Sequence, residues 1–166
     1  MAVDSFAFLP RSFRAHYQVV ADPPRHDVWA VPTRPVAAGK IALLTSAGLF
    51  LEGEQEPFDL ERERAEPLWG DPTWRELPRD LSGHRVRVAH LHINPRDLEE
   101  DPNVALPIDA FAALEAEGVI GMLADRHYSF MGYQAPGAAE WRDRYGPDLA
   151  ARLAQDHVDA LVLAPA

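Results

Sequence analysis

The chain has 166 residues, 47% of them hydrophobic and 25% charged, with a formal net charge of −10 at pH 7 and no cysteine. That length and composition describe one globular domain with enough residues to bury a core. The negative charge argues against nucleic acid and anionic membrane as partners, and the lack of cysteine excludes disulfides and thiolate metal sites.

Residues 1–39 combine prolines (Pro10, Pro23, Pro24, Pro32, Pro35) with aromatics (Phe6, Phe8, Phe13, Tyr17, Trp29). Proline density opposes helices and central strands, whereas the aromatics offer area to bury. An extended arm packed over the domain or over a second copy satisfies both. No apolar run approaches the length of a membrane span, and Arg11 and Arg14 follow Phe6–Leu9 instead of preceding it, the wrong order for a secretory signal. The expected location is cytoplasmic.

Residues 40–166 read as an α/β domain. Ile41, Ala42, Leu43 and Leu44 form a continuous apolar run, as in a strand covered on both faces. Thr45-Ser46-Ala47-Gly48 then turns tightly, and such a turn offers N–H groups to an anion, although no full nucleotide-binding pattern is present. Glu52 to Asp71 is acidic with few apolar anchors and reads as a solvated loop or short exposed helix. Thr73 to Leu77 reads as a short strand closed by Pro78. Arg85 to His92 alternates as a strand does, which would set His90 and His92 on one face, near a strand end where open α/β sheets bind ligands. Pro107 suits a first helical turn, Ile108, Phe111 and Leu114 supply an apolar stripe, and Gly118 ends the helix. Val119 to Leu123 returns to strand. Ala138 to Gln155 is helical in two pieces or kinked at Gly146-Pro147, and Ala160 to Leu163 is the last strand. Strands alternating with helices predict a three-layer architecture, a mostly parallel sheet flanked by helices, with Lys40–Thr45 and Ala160–Leu163 central or near-central.

Two phrases crowd hydrogen-bonding side chains together: His90-Leu91-His92-Ile93-Asn94, and Asp125-Arg126-His127-Tyr128-Ser129-Phe130-Met131-Gly132-Tyr133. They are the expected walls of one site. His90, His92 and His127 titrate near neutrality and suit acid–base work. His-x-His is also a metal-binding spacing, with His127 as a third ligand to a divalent ion; the other reading is that the imidazoles hydrogen-bond backbone or substrate. Asn94, Tyr128 and Ser129 are candidates to orient a substrate, and Arg126 to pair with its carboxylate or to form a surface salt bridge with Asp125 or Glu117. No serine sits in a Gly-x-Ser-x-Gly elbow, which argues against that hydrolase class.

The runs Asp101-Pro102-Asn103-Val104-Ala105-Leu106-Pro107-Ile108-Asp109, Glu117-Gly118-Val119-Ile120-Gly121 and Arg126-His127-Tyr128-Ser129-Phe130-Met131-Gly132-Tyr133 resemble component B of the glycine, sarcosine, betaine and D-proline reductases. Ile41-Ala42-Leu43-Leu44-Thr45-Ser46-Ala47-Gly48 and Asp71-Pro72-Thr73-Trp74-Arg75-Glu76-Leu77-Pro78 support the match, which runs in order from about Lys40 to the last residue. The resemblance implies reductive C–N cleavage by a selenol or thiol, beside a pyruvoyl-bearing partner subunit, with the histidines near the selenol. It also implies that a strand like Val158–Ala166 leads directly into the selenocysteine or cysteine, a residue that this sequence lacks. Either a UGA codon read as a stop or a naturally short relative accounts for that end. Three functions are therefore weighed: a component-B-like reductase subunit, a short paralogue working through His90, His92 and His127, and a non-catalytic docking subunit. A homodimer formed through the arm or an open sheet edge is expected.

Overall fold

The strand β1 (Lys40–Thr45) has partners on both sides, and the sheet is assembled on it. The computed structural model describes residues 11, 30–66, 69–91, 93–134 and 138–166. The chain divides into two units, Met1–Val31 and Pro32–Ala166, and the fold below is that of the second. Most of the expected arm, residues 1–10 and 12–29, lies outside the described residues. Along one side of β1 run β5 (Met122–Leu123) and β6 (Arg126–Phe130), both parallel to it; along the other runs β7 (Ala160–Ala164), also parallel. The strand β3 (Trp74–Pro78) pairs antiparallel with β6 and completes a five-stranded, mostly parallel sheet.

Alternation along the strands builds the two cores. Ile41, Leu43, Leu77 and Leu123 pack against Ile108 of helix α3 (Ile108–Ala116) on one face. Leu44 and Tyr128 pack against Leu149 of α4 (Gly146–Gln155) on the other. The first layer also holds a two-stranded antiparallel ribbon, β2 (Leu49–Leu51) and β4 (Val86–Val88), which contributes Leu49, Leu51 and Val86. Each buried Leu in these layers stabilises by about 1.5–3 kcal/mol relative to exposure. Two short helices, α1 (Leu60–Ala65) and α2 (Arg96–Glu100), lie in the connections.

Three expectations change. The Arg85–His92 strand is shorter, ends at Val88 and pairs with β2 outside the main sheet, so strand alternation does not set His90. Only Met122–Leu123 of the Val119–Leu123 run is strand. Among the described residues β7 pairs with β1 alone, so Ala160–Leu163 is an edge strand. Its apolar sequence is explained by both faces: Ala160 and Val162 join the α3-side core and Leu161 the α4-side core.

Candidate functional site

The parallel strands β1, β6 and β7 end together, and Ser46 ties their carboxyl ends. Its N–H donates to Ala164 O (3.3 Å), its carbonyl accepts from Gly132 N–H (3.0 Å), and its Oγ accepts from Ala166 N–H (2.9 Å). Gly132 fits this close approach, since a Cβ at that position would stand a tight 3.0 Å from Ser46 Cβ. The turn after β1 does not form an anion cradle. Ala47 N–H donates to Thr45 Oγ1, Gly48 N–H to Phe130 O and Leu49 N–H to Ser129 Oγ, so each of these donors is committed within the fold.

A cleft of about 280 Å³ opens at these strand ends, lined by Leu44, Ser46, Phe130, Trp141, Leu163 and the Ala164-Pro165 segment. Open α/β sheets bind ligands in this crevice. Phe130 and Trp141 stack along one wall with centroids 4.5 Å apart and planes 16° from parallel. Trp141 starts a π-helical turn, Trp141–Tyr145, that runs directly into α4. Gly146 permits that junction, because a Cβ there would lie 2.8 Å from Trp141 O.

The structure separates the sequence-derived candidates. His90 is half-buried and lies just beyond β4, after Ala89, whose N–H donates to Gly48 O (2.8 Å). His92 lies outside the described residues. His127 is fully buried in β6 on the α3 side, where its Nδ1 accepts from Leu43 N–H (3.2 Å). His127 has no exposed surface, so the two imidazoles do not share one. Burial pushes the His127 pKa down to about 4, with the Arg79 charge adding to the effect and Asp125 opposing it. Among the described residues no group of three or more His, Cys, Asp or Glu is placed to hold a metal.

The proposed substrate-binding residues have partners inside the protein. Arg126 grips Asp156 through Nε (2.8 Å) and Nη2, which raises the arginine pKa, and Glu76 stands 3.7 Å from Nε. Tyr128 is buried, with its hydroxyl 3.4 Å from Asp156 Oδ2; burial, then Asp156 and Glu76, push its pKa up to about 12. Ser129 Oγ is fully buried and takes Leu49 N–H (2.7 Å). Asn94 is exposed and its Oδ1 caps Arg96 N–H (3.2 Å). Alternation along β6 explains the split, sending His127 and Ser129 to one face and Arg126, Tyr128 and Phe130 to the other.

The Asp71–Pro78 motif is architectural at its start. Asp71 accepts from Thr73 N–H and, across the loop, from Asp59 N–H (both 2.9 Å). Arg75 holds Glu56 O and Pro57 O while lying 4.2 Å over the Phe58 ring; its pKa is lowered, chiefly by desolvation. Sequence reasoning passed over Ser46 and Trp141 as site residues. Ser46 carried a signal, the small-residue turn after a buried strand; Trp141 carried none, because a helical Trp reads as packing.

The family model for glycine/sarcosine/betaine reductase selenoprotein B matches residues 12–166. The chain is 30% identical over 147 residues to D-proline reductase subunit gamma of Acetoanaerobium sticklandii, covering 89% of this chain and 55% of that protein. It is 33% identical over 132 residues to a glycine reductase complex component B subunit gamma of Symbiobacterium thermophilum, covering 80% of this chain and 29% of the relative. A betaine reductase complex component B subunit beta of Peptoclostridium acidaminophilum is 28% identical over 134 residues, 81% of this chain and 29% of the relative. The chain thus spans about half of the first of these relatives and under a third of the other two. No solved structure matches. With nearly its whole length matched, the chain belongs to the glycine/sarcosine/betaine reductase selenoprotein B family.

Proposed function

We propose that the chain acts as a component-B-type subunit of a reductase that cleaves a C–N bond in an amino acid or N-alkylated amino acid, and that the strand-end crevice is its substrate side. The observation that carries this is the hydrogen bond from Ala166 N–H to Ser46 Oγ (2.9 Å), which holds the end of β7 beside the crevice. The resemblance puts the reactive selenocysteine or cysteine directly after this strand, so a selenol or thiol there would face a bound substrate. In such a cleavage two electrons reach the C–N bond, the nitrogen leaves as an amine, the carbon gains hydrogen, and a dithiol reductant ends as a disulfide. His90, which follows Ala89 and is not among the residues that line the crevice, and His92 are assigned the protonation of the leaving amine on the strength of the resemblance, with His127 supporting the strand from within.

The test is purification of the natural protein from its own host together with its partner subunits, a pyruvoyl-bearing subunit among them. Cleavage is then followed with dithiothreitol as reductant, as ammonia or amine release from glycine, sarcosine and betaine and as ring opening of D-proline, whose amine stays attached to the linear product. Cleavage of at least one substrate that depends on this chain is the expected result. Recovery with no partner subunit, and no cleavage of any of the four, would overturn the reading. A second reading, a docking subunit, is favoured by the edge position of β7 and the 66% exposure of Leu163; partner binding without any effect on cleavage would select it.

A further inference from the structure

The strand-end cleft has a chemical preference that its walls dictate. Leu44, Phe130, Trp141, Leu163 and Pro165 are apolar, and among the described residues no acidic or basic side chain lines the space. Ser46, the one polar side chain among the described lining residues, already accepts Ala166 N–H through Oγ. A primary ammonium carries three strong donors and loses heavily when it leaves water without acceptors. An alkylated ammonium spreads its charge over methyl or methylene groups, which aromatic faces and aliphatic walls receive well. The volume, about 280 Å³, falls just below the roughly 300 Å³ at which pockets begin to hold drug-sized ligands, so the cleft suits a small metabolite.

An independent feature points to the same wall. Trp141 opens a π-helical turn, a form uncommon in proteins and frequent at functional sites. The turn is held where Gly146 lets the backbone approach Trp141 O, and it lays the indole on Phe130 at the mouth of the crevice. The charged residues of the turn are engaged elsewhere: Arg142 pairs with Asp143 through Nε and Nη2 (both 2.8 Å), and Arg144 lies 4.8 Å over the Tyr145 ring.

We infer that Trp141 is a specificity-determining wall of this cleft, and that the cleft takes the N-alkylated end of a small amine in preference to a primary ammonium. This rests on the crevice being the substrate side. Titration of the isotope-labelled chain with trimethylglycine, D-proline and glycine, read from the Trp141 indole N–H and the Ser46 and Leu163 amides, tests it. Saturable shifts are expected with the two alkylated compounds, and binding of glycine is expected to be about tenfold weaker or worse. Trp141→Ala should weaken the alkylated ligands about tenfold, while Trp141→Phe, which keeps an aromatic face, should retain most of the affinity and guards against a folding defect. Glycine binding as tightly as trimethylglycine, shifts confined to other residues, or no saturable shift with any compound would overturn the inference. Those failures are separable from failure of the reductase reading, which is scored by partner recovery and cleavage in the natural complex.

Discussion

At His127 the imidazole is neutral at pH 7 because burial holds its pKa at about 4, below the ordinary 6.5. Leu43 N–H donates to Nδ1, so the ring proton sits on Nε2, which has no hydrogen-bond partner among the described residues. The unfolded chain binds a proton at this ring between pH 6.5 and 4 and the folded one does not, so stability is complete above 6.5 and falls as the pH drops through that window. The loss amounts to at most about 3 kcal/mol. The carboxylates of Glu115 and Asp156, lowered chiefly by their arginine hydrogen bonds, lose their contribution below their ordinary values of 4.5 and 3.8, so the two effects are distinct above pH 4.5 and overlap only below it. Denaturant titrations at pH 7 and 5 should show the decline, and His127→Gln should flatten it; an unchanged slope would sink the assignment. Arg126→Ala is expected to destabilise by about 1–3 kcal/mol through the loss of its grip on Asp156, measured by thermal melting. The sequence showed that Arg126, His127, Tyr128 and Ser129 were unusual together, but not which face each would take or that Asp156, thirty residues on, would claim the arginine. Such long-range partners leave no local pattern.

Helix α3 ends as its sequence announces. Gly118 takes φ +70°, with Gly118 N–H on Glu115 O and Val119 N–H on Leu114 O, the paired bonds that close a helix C-terminus. Helix α4 closes by the same two bonds, His157 N–H to Ala154 O and Val158 N–H to Leu153 O, but the left-handed position is occupied by His157 at φ +56°. A side chain there is strained by about 1 kcal/mol, so His157→Gly is expected to stabilise by roughly 0.5–1 kcal/mol, read as a rise in Tm; a fall would mean that the imidazole makes a compensating contact. Gly70 has the opposite character. A Cβ there would lie 1.8 Å from Tyr133 O, so Gly70→Ala must separate the segment before β3 from the segment after β6, and a loss of about 3 kcal/mol is expected; a variant as stable as the parent would show that the two backbones part easily. Glycine at a helix end and Gly-Pro inside a helix were readable from sequence, and the π turn does give way to α4 at Gly146. The short β4 was misread because Val-Arg-Val alternates equally well in a ribbon and in a sheet, and only its pairing with β2 decides between them.

The α/β class was legible because Ile41–Leu44 and Leu161–Leu163 are apolar on successive residues, and the structure covers β1 on both faces and gives β7 side chains to both cores. Hydrophobic pattern reports the faces of a strand, not its lateral neighbours, which is why β7 could be read correctly as a strand and still be misplaced in the sheet. Its lateral edge has no partner among the described residues, and Leu163 is 66% exposed at its end. Unpaired N–H and C=O groups along such an edge invite a second strand, and a two-fold pairing of β7 with β7 would close it symmetrically. We therefore expect the isolated chain to form a homodimer, with a light-scattering mass about twice the 18.5 kDa of one chain. The net charge of −10 opposes that association by mutual repulsion, with a reach of about 10 Å at 0.1 M salt. Added salt should thus strengthen the dimer, whereas an interface held by ion pairs would weaken. Leu163→Lys adds a charge beside the edge, where its own image would face it across the two-fold axis, and should shift the mass toward the monomer. A parent chain that stays monomeric at micromolar concentration in high salt would refute the pairing, and a dimer unaffected by Leu163→Lys would move the interface away from this end of β7.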